Sequence, residues 1–173
     1  LGALKYVAGG WEHCTIRLLP SGKVELVTGT SPHGQGHETA WSQIASSILG
    51  IPVEDIDVIH SDTGRAPYGM DTYGSRSLAV GGQAIKKAAD RVIENARPIA
   101  AHQLECSPDD LEFRDGTFTV KGDPEKSVTL GATASPAGRP GSRALLTRAA
   151  ALALALAGLA ASAWWMWGPG RSP

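Results

Sequence analysis

The sequence predicts an α+β fold in which mixed sheet strands surround two principal helices. Three observations point there: short alternating or β-branched runs bounded by Gly and Pro, two longer segments with apolar residues at helical spacing, and an element order without any internal repeat. The expected order is two strands, a helix, a strand, a long helix and a final pair of strands.

Residues 12–19 and 23–28 read as the first two strands, joined by Pro20-Ser21-Gly22 as a hairpin turn. The first helix should begin after Gly34-Gln35-Gly36, because Ala40, Trp41, Ile44, Ala45, Ile48 and Leu49 then share one face. It should end at Gly50, where glycine accepts the left-handed conformation that closes a helix. Residues 55–60 alternate as a half-buried strand and run into the turn-rich stretch 61–74. The second helix is predicted from Ser75 or Ser77 toward Leu104. Its first turns hold Ala79, Gly81, Gly82 and Ala84, which permits close backbone packing, and Pro98 should kink or divide it. Ser107-Pro108-Asp109-Asp110 reads as a capped turn, and residues 111–113 and 117–120 as a closing hairpin around Asp115-Gly116.

A chain of 173 residues with 42% hydrophobic and 19% charged residues can bury one ordinary core, which excludes disordered and collagen-like classes. Its net charge of -1 argues against nucleic acid as a partner, since neutralising phosphates needs a basic face. Cys14 and Cys106 form no paired motif, so neither a zinc knuckle nor a disulfide framework is signalled. Cys14 reads as a small core residue and Cys106 as a thiol at a helix end. No basic n-region precedes an apolar run at the N-terminus, so no signal peptide is expected and the chain is expected to start inside a longer protein.

Composition breaks sharply near residue 130. Residues 1–130 carry 12 Lys+Arg against 17 Asp+Glu, whereas residues 131–173 hold four Arg and no Lys, Asp or Glu. The expected organisation is therefore a partial domain over 1–130 and a tail over 131–173, either read from a shifted frame or disordered. A transmembrane segment at 149–167 is the alternative, being 19 residues without charge, though about half of them are Ala.

Chemistry points to two Gly-bracketed segments that each precede a helix: Gly29-Thr30-Ser31-Pro32-His33-Gly34-Gln35-Gly36-His37-Glu38-Thr39 and Tyr68-Gly69-Met70-Asp71-Thr72-Tyr73-Gly74-Ser75-Arg76-Ser77. A helix start carries partial positive charge and unpaired N–H groups, so it suits a phosphate or another anionic oxygen, and glycines let the ligand come close. Two such starts suggest one large anionic cofactor. Gln35, His37 and Thr39 add donors, as do Ser75, Arg76 and Ser77. Taken singly, each segment is an ordinary cap after a glycine turn. His33 and His37 have no third ligand, so no metal site is expected on the protein itself. His60 with Asp62 is more simply a satisfied histidine at a strand end than an acid–base pair, and Asp55 and Asp57 read as exposed.

Taken in order, Gly10-Trp11-Glu12, the Gly-Gln-Gly-His-Glu-Thr run at 34–39, Ser61-Asp62-Thr63, Pro67-Tyr68-Gly69 and Thr72-Tyr73-Gly74-Ser75-Arg76-Ser77 closely resemble the molybdenum-binding large subunit of the xanthine dehydrogenase and aldehyde oxidase family. Aerobic carbon monoxide dehydrogenase large subunits are the members it resembles most nearly. The resemblance runs from about Gly9 to Leu130 and implies part of the second molybdopterin-binding half of such a subunit. It implies a molybdopterin cofactor with molybdenum, in the cytosine dinucleotide form, with FAD and iron–sulfur clusters on a medium and a small partner subunit. Hydroxylation of a small molecule with water as oxygen source follows, in the cytoplasm or at the inner face of the membrane, with no nucleic-acid partner. By position, Gln35, Gly36, His37 and Thr39 would hold the pterin or phosphate region. Gly74, Ser75, Arg76 and Ser77 would contact the dithiolene–pterin system or its pyrophosphate. The family's glutamate base lies downstream of Gly-Ser-Arg-Ser, and residues 131–173 contain no acid, so these 173 residues are expected to be inactive alone. A non-catalytic cofactor-binding or membrane-tethered interaction domain of the same fold is the alternative.

Overall fold

The computed structural model describes residues 10–66 and 68–135, which fold as two three-stranded sheets with two main helices. In the first sheet, β1 (Cys14–Leu18) pairs antiparallel with β2 (Val24–Thr28), so that Cys14 faces Thr28 and Leu18 faces Val24. The connecting turn closes through Leu19 N–H to Lys23 O at 2.8 Å and Gly22 N–H to Leu19 O at 2.9 Å. A loop, helix α1 (His37–Leu49) and a 3-10 turn (Val53–Asp55) then return the chain to β3 (Ile56–Ile59), which pairs parallel with β2. Parallel pairing requires this crossover helix, because the chain must travel back to the starting edge. β2 is thus central, and its Val24, Leu26, Val27 and Thr28 are buried.

The second long helix is continuous from a π turn at Ser77–Gly81 into α2 (Gly82–Leu104). Pro98 does not divide it, contrary to one of the two sequence expectations. Both Pro98 and Glu94, whose carbonyl loses its donor, are exposed, so water can meet that oxygen. The π turn was not foreseen, since no side-chain pattern distinguishes it from ordinary helix.

After a 3-10 turn at Pro108–Asp110, capped by Ser107, the chain forms β4 (Leu111–Arg114), β5 (Thr117–Val120) and β6 (Asp123–Thr129), in that spatial order. The closing hairpin expected from the sequence is therefore a three-stranded meander. β6 escaped detection because it is an edge strand with mostly exposed residues, Asp-Pro-Glu-Lys at its start, and a bulge opposite Thr119 and Val120. A short helix α3 (Leu130–Thr133), capped by the Thr129 side chain, follows. Its Leu130 and Thr133 are buried, so packed structure continues a few residues past the composition break at 130. The expected transmembrane alternative at 149–167, and the rest of the expected tail from 136 on, lie outside the described residues.

One core links these parts. Val24, Leu26 and Ile56 of the first sheet meet Trp41, Ala45 and Leu49 of α1, Ile85, Ala89 and Ala96 of α2, and Leu111, Phe118 and Leu130 beyond. Fully burying a large apolar side chain stabilises by about 1.5–3 kcal/mol, so Trp41 and Phe118 are major contributors. At the junction, Gly50 ends α1 at φ 64° with its N–H on Ser46 O, against the hairpin turn of Asp115 and Gly116. A Cβ on Gly50 would stand 2.6 Å from Gly116 Cα, so only glycine fits.

Candidate functional site

The two Gly-bracketed segments are the loop from β2 to α1 and the loop from β3 to α2, and the fold lays them side by side. Parallel pairing of β2 with β3 brings both strand ends to the same edge of the sheet. Across the gap, Ser31 N–H donates to Asp71 Oδ1 at 2.8 Å and Thr72 Oγ1–H donates to Ser31 O at 2.7 Å. His33 Nε2 stands 3.4 Å from Thr72 O. The backbones themselves touch: a Cβ on Gly69 would lie 2.6 Å from Gly29 Cα. Both glycines are therefore needed for the approach.

Each loop delivers a helix start to this surface. Gly36 precedes α1 in the left-handed conformation (φ 73°), and among the described residues no side chain caps the helix. The first-turn N–H groups are thus available to an anionic oxygen, apart from that of Glu38, whose own carboxylate accepts it. His37 opens the helix and is buried, stacked on Trp41 with ring centroids 4.8 Å apart. Burial pushes the His37 imidazole below its usual range and keeps it neutral, and its Nδ1 is buried with no hydrogen-bond partner among the described residues. A buried polar atom without a partner is costly, which marks it for a ligand or water. Gln35 and Thr39 are exposed, with Gln35 Oε1 accepting the His33 N–H. On the second loop, Gly74 and Ser75 both have positive φ, 55° and 58°, and are exposed, whereas Ser77 is buried with Oγ–H on Thr72 Oγ1 at 2.9 Å. At Gly34, Gly36 and Gly74 an added Cβ would meet nothing within 4 Å among the described residues. Those three faces are open to a large group. Trp11, Tyr68, Tyr73 and Leu78 stand exposed in or beside the loops.

Arg76 is placed differently from the other candidates. Its guanidinium is almost fully buried and turned inward. It donates to Glu12 Oε2 at 2.7 Å, to Trp11 O at 2.6 Å and to Asp71 O. Its face also lies 5.4 Å from the centre of the Tyr73 ring. The two loops therefore bring Gln35, Gly36, Thr39, Gly74 and Ser75 to one accessible surface, with the buried His37, Arg76 and Ser77 behind it.

Two pairings were not legible in sequence. His60 meets Glu38 at 2.8 Å and Ser61 Oγ at 3.0 Å, not Asp62. Asp62 instead accepts the Gly64 and Arg65 N–H groups in its own turn. The Glu38 carboxyl is held below the usual carboxylate range, first by its own backbone N–H and then by His60. Asp71 is lowered likewise by the Ser31 N–H. Burial pushes the Cys14 thiol up to about 12, so it is inert at neutral pH, as a core residue should be. Among the described residues, no group of three or more His, Cys, Asp or Glu is placed to hold a metal ion, and no helix is long and apolar enough to cross a membrane.

Residues 2–166 match the family described as molybdopterin cofactor-binding domain. The carbon monoxide dehydrogenase large chain of Hydrogenophaga pseudoflava is 47% identical over 70% of this chain and 15% of its own length. The nicotine 6-hydroxylase large subunit of Paenarthrobacter nicotinovorans is 33% identical over 69% of this chain and 15% of its own. Among solved structures, reconstituted carbon monoxide dehydrogenase from Oligotropha carboxidovorans superposes with a TM-score of 0.71 at 43% identity, covering 73% of this chain and 16% of that one. The chain thus spans about 15% of the length of the curated relatives it matches.

Proposed function

The chain belongs to the molybdopterin cofactor-binding domain family of molybdenum hydroxylase large subunits, and from that premise we propose that the two adjoining loops form part of the cofactor's envelope. One observation carries the reading: the Ser31 to Asp71 and Thr72 seam joins two helix starts into a single donor-rich surface. The residues fit such a group. Among the described residues His37 Nδ1 lacks a partner, the α1 start lacks a side-chain cap, and Gly34, Gly36 and Gly74 leave room for close approach.

In this reading Gln35, Gly36, His37 and Thr39 hold the pterin or phosphate region, while Gly74 and Ser75 line the dithiolene–pterin side and the buried Ser77 stands behind them. Arg76 serves from behind, through the loop it fixes. His37 stays neutral and so offers a hydrogen bond without adding charge. When bound, the molybdenum cofactor supplies the redox and oxygen-transfer chemistry, and the protein positions it and shields it from water. The cytosine dinucleotide form suits two anion-binding helix starts, which a longer phosphate-bearing group would span.

The whole protein would be an oxidoreductase acting on carbon monoxide, an aldehyde or a heterocycle, in a complex with an FAD-binding and an iron–sulfur subunit in the cytoplasm. The family's glutamate base has no counterpart in residues 131–173, which hold no acid. We therefore propose that these 173 residues are inactive alone and that 131–173, although the family match extends to residue 166, are a tail read from a shifted frame. Sequencing the gene across the codons for Ser127 to Gly141 tests the tail: one missing or extra base restoring acids downstream supports it, and an intact frame contradicts it.

The cofactor reading is tested with Gly36→Asn and Gly74→Asn in chain purified from cells that make the molybdenum cofactor. Asparagine tolerates the left-handed backbone and fills the open face. Bound pterin per chain should fall at least tenfold while the melting temperature holds. Unchanged pterin in both variants, or none in the unsubstituted chain, would overturn the reading.

A further inference from the structure

We propose that Glu12 is the positioning residue of this surface, holding both loops at their spacing through Arg76 and the Met70 amide. Its side chain is completely buried, as rarely happens to a carboxylate without full pairing. Oε2 accepts from Arg76 at 2.7 Å and from Met70 N–H at 3.3 Å, and Oε1 accepts from His13 N–H at 3.0 Å. Glu12 is thus tied at one end to the residue before β1 and at the other to the loop entering α2.

The carboxylate sits where the two loops cross. A Cβ on Gly69 would be 2.9 Å from Glu12 Oε1 as well as 2.6 Å from Gly29 Cα, so glycine on both loops makes space for this one side chain. Gly10 is close as well, where a Cβ would stand 3.2 Å from Arg76 Nε. Arg76 extends the clamp. Its remaining donors fix Trp11 O and Asp71 O, and Asp71 in turn accepts the Ser31 N–H at 2.8 Å. One buried ion pair therefore reaches residues 11, 12, 70, 71 and 76 directly, and residue 31 through Asp71. Gly74 and Ser75, in left-handed conformation, lie between two residues so anchored, so the amides proposed to face the cofactor are aimed by Glu12 without its touching a ligand.

A merely stabilising ion pair would loosen the whole fold when broken; a loop clamp would loosen the two loops first. The test is amide hydrogen exchange on the full chain without cofactor, comparing unsubstituted protein with Glu12→Gln, which keeps shape and one acceptor but removes the charge. Exchange over 29–36 and 68–77 should accelerate at least tenfold, with α2 and the β4–β6 sheet unchanged. Uniform acceleration everywhere, or none in the loops, overturns the proposal. Should Glu12→Gln fail to fold, Arg76→Lys takes its place, since it keeps the charge opposite Glu12 but cannot also reach Trp11 and Asp71. The same local pattern is expected, and the same uniform or absent change refutes it. The inference rests on the cofactor reading for its meaning but not for its test. If that reading fails, the unsubstituted chain holds no pterin while the exchange pattern stands; if the clamp fails, pterin is bound and the loops do not respond.

Discussion

His37 shows how one residue joins stability to the site. Burial lowers its imidazole pKa below the unfolded value of 6.5. The unfolded chain then binds the extra proton first as pH drops, so the stability His37 supports is full above 6.5 and declines as pH falls toward its folded value. His37→Gln should flatten that part of the stability profile, measured by urea unfolding from pH 7.5 downward. Glu38 and Asp71, lowered in the folded state, behave with the same sign in a more acid window: their contribution is lost only as pH falls below the ordinary carboxylate range. Glycines give a second residue-scale expectation. Gly50→Ala meets both a left-handed backbone and the Asp115–Gly116 turn, so it should cost well above the about 1–2 kcal/mol that the conformation alone costs. Gly34→Ala, equally left-handed but in open space, should cost only that amount. Denaturant midpoints of the two variants decide this. Gly50 was legible as a helix stop because its cause is local. Glu12 and Arg76 were not legible as a pair, because nothing local ties residues 64 apart in sequence.

At the scale of elements, sequence period and turn chemistry gave the first hairpin, α1, β3 and the span of the long helix, with ends within two residues. What they missed were elements defined by neighbours. β6 is exposed and charged, and it is a strand only because β5 offers an edge to pair with. The π turn at Ser77–Gly81 likewise arises where the chain leaves the Arg76 clamp and enters α2: Val80 N–H already bonds to Arg76 O at 2.8 Å. Pro98 remains a local flaw in a continuous helix. Pro98→Ala should restore the bond to the Glu94 carbonyl and stabilise the protein by about 1–2 kcal/mol, the helix gain of about 3 reduced by the greater freedom of the unfolded chain. A lower urea midpoint in this variant would show that the helix relies on the proline.

For the molecule as a whole, the sheets and helices serve to present two loops. A parallel β2–β3 pair aligns the strand ends, α1 and α2 carry the chain away from them, and the second sheet packs behind Gly50 and α2. Membership in the family was legible because its motifs are local runs of loop residues. Which of those residues face outward was not, since Arg76 reads as a free cation in sequence and proves buried among carbonyls and a carboxylate. The most direct measurement is amide hydrogen exchange of the chain with and without molybdenum cofactor released from a carrier enzyme. Added protection confined to residues 34–39 and 74–77, on both loops together, is expected. Protection on neither loop, or only at sites remote from both, would contradict the shared cofactor surface.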